Sequence, residues 1–352
     1  MEINVMITCV ASQVIPKITN LVRSFPSKSI RIIGVDSSSK ENAVGAIFSD
    51  IFYQIPNGFE ENYIDSIIEI IQKEAVQIIL PGSDEEVLSL SKHKELLLKK
   101  YNCHVVCSDY STTLLASNKF EMLKKIQSHG LHTGLFAEIN QAGDIYKFAE
   151  SIEFPKREFI IKPKTGRGSK GVKLITSNID RKKRFLAKDN FFISIQEAVD
   201  FFTEFPEERE HYFMMEYFSG EKFSTDLLIQ DGQIKHFVTR SNGIFPKINP
   251  PTQLADIVFD NNVLKYVMEI QKIANFDFFL QIETGYDEKG NIGFIESNAR
   301  LDATLPITLG VGVNYYHEFI RYSILEESFK NSQTTETPIR FFRYWEDTFT
   351  KN

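Results

Sequence analysis

The sequence predicts an α/β protein: a doubly wound parallel-sheet domain at the N-terminus, followed by a two-part α+β region built on antiparallel hairpins. Three observations carry this prediction. Apolar stretches without polar alternation recur between amphipathic stretches through the first hundred or so residues, the pattern of a parallel sheet covered on both faces. Hairpin turn signals, Gln230-Asp231-Gly232 and Asp287-Glu288-Lys289-Gly290, punctuate the C-terminal part. With 352 residues, 42% hydrophobic and 25% charged, the chain can hold two or three domains of roughly 150 residues each.

The elements follow in order. Ile3–Cys9 reads as a strand, Val14–Ser24 as a helix with Ile15, Ile18 and Val22 on one face, and Ile30–Val35 as a strand ending at Asp36. A helix over Asn62–Ala75, the strand Val76–Leu80 closed by Pro81-Gly82, a helix near Asp84–Lys99 and the strand Cys103–Cys107 complete the first unit. Asp36 stands where a dinucleotide fold carries its ribose-binding acid. The first turn, Thr8 to Gln13, has no glycine, so a pyrophosphate cannot approach the backbone, and Asp36 is expected to cap a turn instead. Next, Asn118 caps a helix Lys119–His129 that Gly130 closes. Phe159–Lys162 is a strand, Gly166–Gly171 a glycine-rich loop, Val172–Thr176 the returning strand and Glu197–Glu210 a solvated helix and turn. From about Met214 come the strand Ser224–Ile229, the helix Asn262–Ala274, the hairpin Phe278–Arg300 and a tail strand in Pro338–Tyr344. The expected domains are 1–115, 116–213 and 214–352.

Charge and cysteine usage narrow the function classes. A net charge of −7 argues against a nucleic-acid binder, which needs a basic face. The N-terminus lacks the basic region and apolar run of a signal peptide or membrane span, so a cytoplasmic protein is expected. Cys9, Cys103 and Cys107 are odd in number and lie in apolar stretches, as reduced thiols do. The scattered histidines support no zinc site.

Two features carry chemistry. The segment Lys162–Arg184 holds nine Lys or Arg and one acid, Asp180, a local +8 in an acidic chain. Within it, Gly166, Gly168 and Gly171 let backbone N–H groups face an anion ringed by Lys162, Lys164, Arg167 and Lys170. A solvated hairpin tip fits those residues equally well. On the C-terminal hairpin, Glu296, Asn298 and Arg300 share one strand face and Glu283 can stand opposite Glu296. These hard oxygen donors suit Mg²⁺; an exposed face with a Glu–Arg pair is the plainer alternative. Together the basic flap and the acidic hairpin supply what a magnesium nucleotide requires: cations and amides for phosphates, carboxylates for the metal.

Five segments in sequence order carry a family resemblance: PGSDEE at Pro81–Glu86, Asn118-Lys119, FIIKPKTGRGSKGV at Phe159–Val172, MMEYFSGEKFSTDLL at Met214–Leu228 and FIESNARL at Phe294–Leu301. The chain resembles the ATP-grasp superfamily, in the group similar to the large chain of carbamoyl-phosphate synthetase and the carboxylate–amine ligases. The resemblance implies a pre-ATP-grasp domain, a lid subdomain and a C-terminal subdomain with the metal site. It implies that Lys119, Lys162 and Lys164 meet ATP phosphates, that Gly166, Gly168, Ser169 and Gly171 form the lid, and that Glu216, Tyr217 and Phe218 hold adenine. Metal ligation falls to Glu283, Glu296 and Asn298, and catalysis to Lys162 and Arg300, the latter on the transferred phosphate or the substrate carboxylate. Two departures stand out: Lys222 occupies the usual ribose-binding Glu position, leaving Glu221 to take over, and Ala299 stands where the family carries Pro.

The implied cofactors are ATP and two Mg²⁺ ions, with Mn²⁺ as a substitute. The implied reaction activates a small-molecule carboxylate as an acylphosphate for attack by an amine or ammonia. Bicarbonate activation to carbamate or carbamoyl phosphate, a non-catalytic ATP-binding regulator and, more distantly, a dehydrogenase are the alternatives. No nucleic acid or membrane partner is expected, and a homodimer is the default assembly. Substrate selection is expected around Ser83–Glu86, Arg240–Asn249 and Asp302–Pro306, with Arg343 from the tail.

Overall fold

Three sheets follow one another along the chain. The computed structural model describes every residue except 1, 167, 169, 180, 181, 183–190, 244–253, 331–337, 345 and 350–352. The expected lid residues Arg167 and Ser169, the cations Arg181, Lys183 and Arg184, and the stretch 244–249 lie outside the described residues.

The first sheet is parallel, with strands β1 (Ile3–Thr8), β2 (Ile30–Asp36), β3 (Ile51–Gln54), β4 (Ile78–Leu80) and β5 (His104–Val105) in the order β3-β2-β1-β4-β5. Helices α1 (Ile15–Arg23), α2 (Gly45–Phe48), α3 (Tyr63–Glu74) and α4 (Asp84–Tyr101) connect them. The central strands are apolar because both faces are covered. Asp36 has the expected turn role: its carboxylate accepts from the N–H groups of Ala11 at 2.7 Å and Ser38 at 2.8 Å. Ser83 caps α4, where Asp84, Glu85 and Glu86 complement the helix dipole.

The second sheet is built from β6 (Phe136–Glu138), β7 (Phe159–Pro163), β8 (Lys173–Ile175), β9 (Phe192–Ile193) and β10 (Tyr212–Glu216), in the order β6-β10-β7-β8-β9. Helices α5 (Tyr110–Ser117), α6 (Lys119–Ser128), α7 (Asp144–Ser151) and α8 (Ile195–Glu204) accompany it. β10 straddles the expected boundary at 213/214 and belongs wholly to this sheet, so the chain changes sheets a few residues later, at 217–221.

The third sheet is antiparallel: β11 (Lys222–Gln230), β12 (Gln233–Gly243), β13 (Leu254–Val258), β14 (Phe278–Tyr286), β15 (Ile292–Asn298) and the tail strand β16 (Ile339–Phe342), ordered β15-β14-β11-β12-β13-β16. Helices α9 (Asn261–Ala274) and α10 (Tyr315–Leu325) pack on it. One apolar core joins α10 and the start of β14 to α1 and the first sheet. Another joins β14 and α9 to α6, β7 and β10. The β14–β15 hairpin is thereby held against both preceding units, which decides what can reach it.

Candidate active site

Strand register brings the expected hairpin residues together. Glu283 pairs with Glu296 and Gln281 with Asn298 across β14 and β15. Period-two alternation puts these two rows on one face. Burial, and next the facing Glu296, push the Glu283 carboxyl well above the ordinary carboxylate range. The connecting turn is closed by Asp287, whose carboxylate accepts from the N–H groups of Lys289 and Asn291 at 2.8 Å each.

Two lysines approach this face from the second unit. Lys162 is 2% exposed on β7 and donates to the Ile295 carbonyl at 2.7 Å, with its ammonium over the Phe213 ring. Burial lowers it to about 8; Glu296 and Glu283 oppose that shift, and Lys119 adds to it. Asn118 accepts from the N–H groups of Phe120 and Glu121 at 3.1 Å, a cap that sets Lys119 at the first position of α6. The Lys119 ammonium then lies 3.9 Å from Glu296 and donates to the Gly166 carbonyl at 2.6 Å. Gly166, Gly168 and Gly171 all adopt φ between 68° and 98°, which L side chains adopt only with strain. Lys119, Gly166, Ser297, Asn298 and Asp84 line one cleft. Lys164 does not line that cleft: its ammonium is committed to Glu138 at 2.7 Å and lies over the Phe120 ring.

At the hinge, the Glu216 carboxylate is taken by the protein itself. It accepts from Arg157 at 2.9 Å and from the Leu135 N–H at 3.2 Å. Glu216 therefore fixes the hinge, and the backbone of Tyr217 and Phe218 is what remains for a base. The Phe218 ring lies so close to β15 that a Cβ on Gly293 would sit 2.3 Å from it. Lys222 sits 4.5 Å over the Tyr217 ring, and burial lowers it to about 8. Glu221 accepts from the Ser241 hydroxyl.

Arg300 bridges two units, donating to Asp84 at 3.2 Å and to Asp302 at 2.6 Å. Burial works against its charge, but Asp302 and Asp84 outweigh it and keep the guanidinium firmly protonated. Arg240 is no surface cation. It is 3% exposed and donates to the fully buried Asp226 at 2.8 Å. Arg343 donates to the Ala303 carbonyl at 2.8 Å. The sequence did not single out Asp226, Gln281 or Arg157; an acid directly before the apolar Leu227-Leu228-Ile229 of a strand was the available signal for Asp226.

Among the described residues no three His, Cys, Asp or Glu side chains form a metal cluster. The donor set here is two carboxylates and one amide, and a carboxyl raised first by burial and then by its facing partner is what a divalent cation between them would relieve. The residues fit Mg²⁺.

A family model described as the PylC-like N-terminal domain matches residues 5–106. A second, described as ATP-grasp in the biosynthetic pathway with Ter operon, matches residues 208–344 and so contains the 217–221 connection and the β14–β15 hairpin. The chain has the ATP-grasp fold, and its residues 208–344 match an ATP-grasp family. Solved structures share its ATP-grasp fold across almost the whole chain. An L-amino acid ligase from Bacillus licheniformis is 15% identical at a TM-score of 0.66, covering 91% of this chain and 74% of its own. An N5-carboxyaminoimidazole synthetase from Staphylococcus aureus is 16% identical at 0.68, covering 97% and 82%. The biotin carboxylase domain of a Hydrogenobacter thermophilus 2-oxoglutarate carboxylase, solved with MgADP and bicarbonate, is 17% identical at 0.68, covering 94% and 71%. No curated protein matches this chain in sequence. Among its described residues no helix is long and apolar enough to cross a membrane.

Proposed function

We propose that the protein is an ATP-dependent ligase that activates a small-molecule carboxylate as an acylphosphate, releasing ADP, for attack by an amine or ammonia. The observation that carries this reading is the facing of Glu283 and Glu296 beside Asn298, with Lys119 and Lys162 converging on the same hairpin. Phosphoryl transfer to a carboxylate forces two anions together, so catalysis is chiefly positioning and charge neutralisation. Mg²⁺, as one or two ions held by Glu283, Glu296 and Asn298, supplies part of that neutralisation.

The chain's own groups supply the rest. Lys119 and Lys162 now donate to the carbonyls of Gly166 and Ile295, contacts that phosphate oxygens can replace with stronger charge-assisted bonds. Arg300 spends Nε on Asp84 and Nη1 on Asp302, which leaves Nη2 for the phosphate or the acid. The backbone at Tyr217 and Phe218 holds adenine, and Glu221 or Lys222 holds ribose. Acylphosphates do not survive water, and the glycines Gly166, Gly168 and Gly171, whose positive φ leaves room for backbone N–H groups to meet phosphate, support its exclusion here. Three cysteines that form no disulfide among the described residues support a reducing, cytoplasmic setting; burial pushes Cys103 and Cys107 up to about 12.

ADP release measured with MgATP across a panel of carboxylic acids, with and without amines, tests the proposal. Release driven by one class of acid supports it. Release driven by bicarbonate alone favours carbamate chemistry, the reading that the fold shared with a bicarbonate-bound carboxylase supports. ATP binding with no release under any condition favours a regulator.

A further inference from the structure

We infer that Asp226 and Gln281 form a relay that fixes the Asn298 amide with its oxygen toward Glu283 and Glu296, which makes both of them positioning residues for the metal site; this rests on the ligase reading above. An asparagine can ligate Mg²⁺ only through Oδ1, and the two ends of its amide are nearly the same shape. Something must tell oxygen from nitrogen. The three adjacent strands β11, β14 and β15 place Asp226, Gln281 and Asn298 in one cross-strand row, beside the row that contains Glu283 and Glu296.

The polarity of the row is set at its buried end. The Asp226 carboxylate is an acceptor on both oxygens: Oδ2 takes Arg240 at 2.8 Å and Oδ1 takes the Gln281 amide nitrogen at 2.9 Å. The same nitrogen lies 3.5 Å from the Thr304 hydroxyl, whose own hydrogen goes to Asp302. Both acceptors therefore demand the NH₂ end of Gln281, and its oxygen must face the other way. That oxygen accepts from the Asn298 amide nitrogen at 3.1 Å. With the nitrogen so committed, Oδ1 is the end left for the cleft that Asn298 lines with Lys119 and Gly166. Partners that orient metal ligands without touching the ion are worth about 10–100-fold in metal affinity.

The near-isosteric Asp226→Asn variant gives the sharpest test. Arg240 still needs an acceptor, so the new amide turns its oxygen to Arg240 and its nitrogen to Gln281. Gln281 inverts, Asn298 inverts with it, and nitrogen instead of oxygen meets the metal. Mn²⁺ titrated into the ADP-saturated protein and followed by electron paramagnetic resonance should bind about 10–100-fold more weakly in D226N. Gln281→Leu, which removes the relay without leaving Arg240 unpaired, should show a similar loss if D226N does not fold. In an Asn298→Asp background both ends of residue 298 are oxygen, so Q281L should change Mn²⁺ affinity less than about twofold; a packing role for Gln281 would give the same loss in both backgrounds. Wild-type Mn²⁺ affinity in the folded variants, or an equal loss in the N298D background, would overturn the relay alone. Absence of Mn²⁺ binding by the wild type would overturn the relay and the ligase reading together.

Discussion

Glu283 and Glu296 face each other in register across β14 and β15, two carboxylates on one face of a hairpin that packs between two other units. Carboxylates so buried and so placed disfavour each other's charge, a cost that a cation between them would relieve. Glu296→Gln should therefore melt at or above the wild-type temperature while ADP release falls by about 10²–10³-fold, the usual size of a lost electrostatic contribution to catalysis. Scanning calorimetry and a coupled ADP assay check both halves.

Lys162 should separate binding from folding in the opposite sense. Its stem and ammonium lie against Phe213, and its charge is held where burial disfavours it. Lys162→Met keeps the packing and removes the charge. Unfolding in urea should be unchanged within about 1 kcal/mol, whereas nucleotide affinity by calorimetry should drop by at least about tenfold, in line with the loss of one charge-assisted contact.

Glu86 offers a pH signature in the first unit, away from the β14–β15 hairpin. Burial is the leading cause that raises its carboxyl from 4.5 to about 7, although the Ser83 and Thr8 hydroxyls each donate to it at 2.7 Å and oppose the shift. Between about pH 4.5 and 7 the folded chain keeps a proton that the unfolded chain releases, so this group makes stability fall as pH rises through that window. Glu86→Gln does not titrate. Its stability relative to wild type should grow by up to about 3 kcal/mol from pH 4.5 to 7.5, measured by urea unfolding at each pH.

The hinge is sensitive to one missing atom. Gly293 lets the Phe218 ring lie against β15, and a Cβ there would sit 2.3 Å from it. Gly293→Ala should cost about 1–3 kcal/mol of stability and weaken nucleotide binding, because the ring and the hinge backbone must shift together. Unfolding curves and ADP titration report the two effects.

How legible each part was follows from the range of the interactions involved. Strands such as Ile3–Thr8 and Ile30–Asp36 announce themselves because burial on both faces leaves an unbroken apolar run. β3 does not, being a four-residue edge strand with half-exposed side chains, and neither do the three-residue β6 and the eight-residue α7, too short for a periodic signal. That Glu283 and Glu296 share a hairpin could be read from its turn, but their direct facing could not: the turn's own register would set Glu283 opposite Ile295, and a bulge beside Thr284 shifts the pairing by one residue. The commitments of Glu216 to Arg157 and of Arg300 to Asp84 could not be read either, since each joins elements that only the folded chain brings together.

Acylphosphate formation is the central claim, and hydroxylamine trapping tests it most directly. Incubation of the protein with MgATP, hydroxylamine and a panel of carboxylic acids should yield the hydroxamate of one class of acid, with stoichiometric ADP, and none with Glu296→Gln. ATP bound but neither hydroxamate nor ADP formed with any acid would contradict the account.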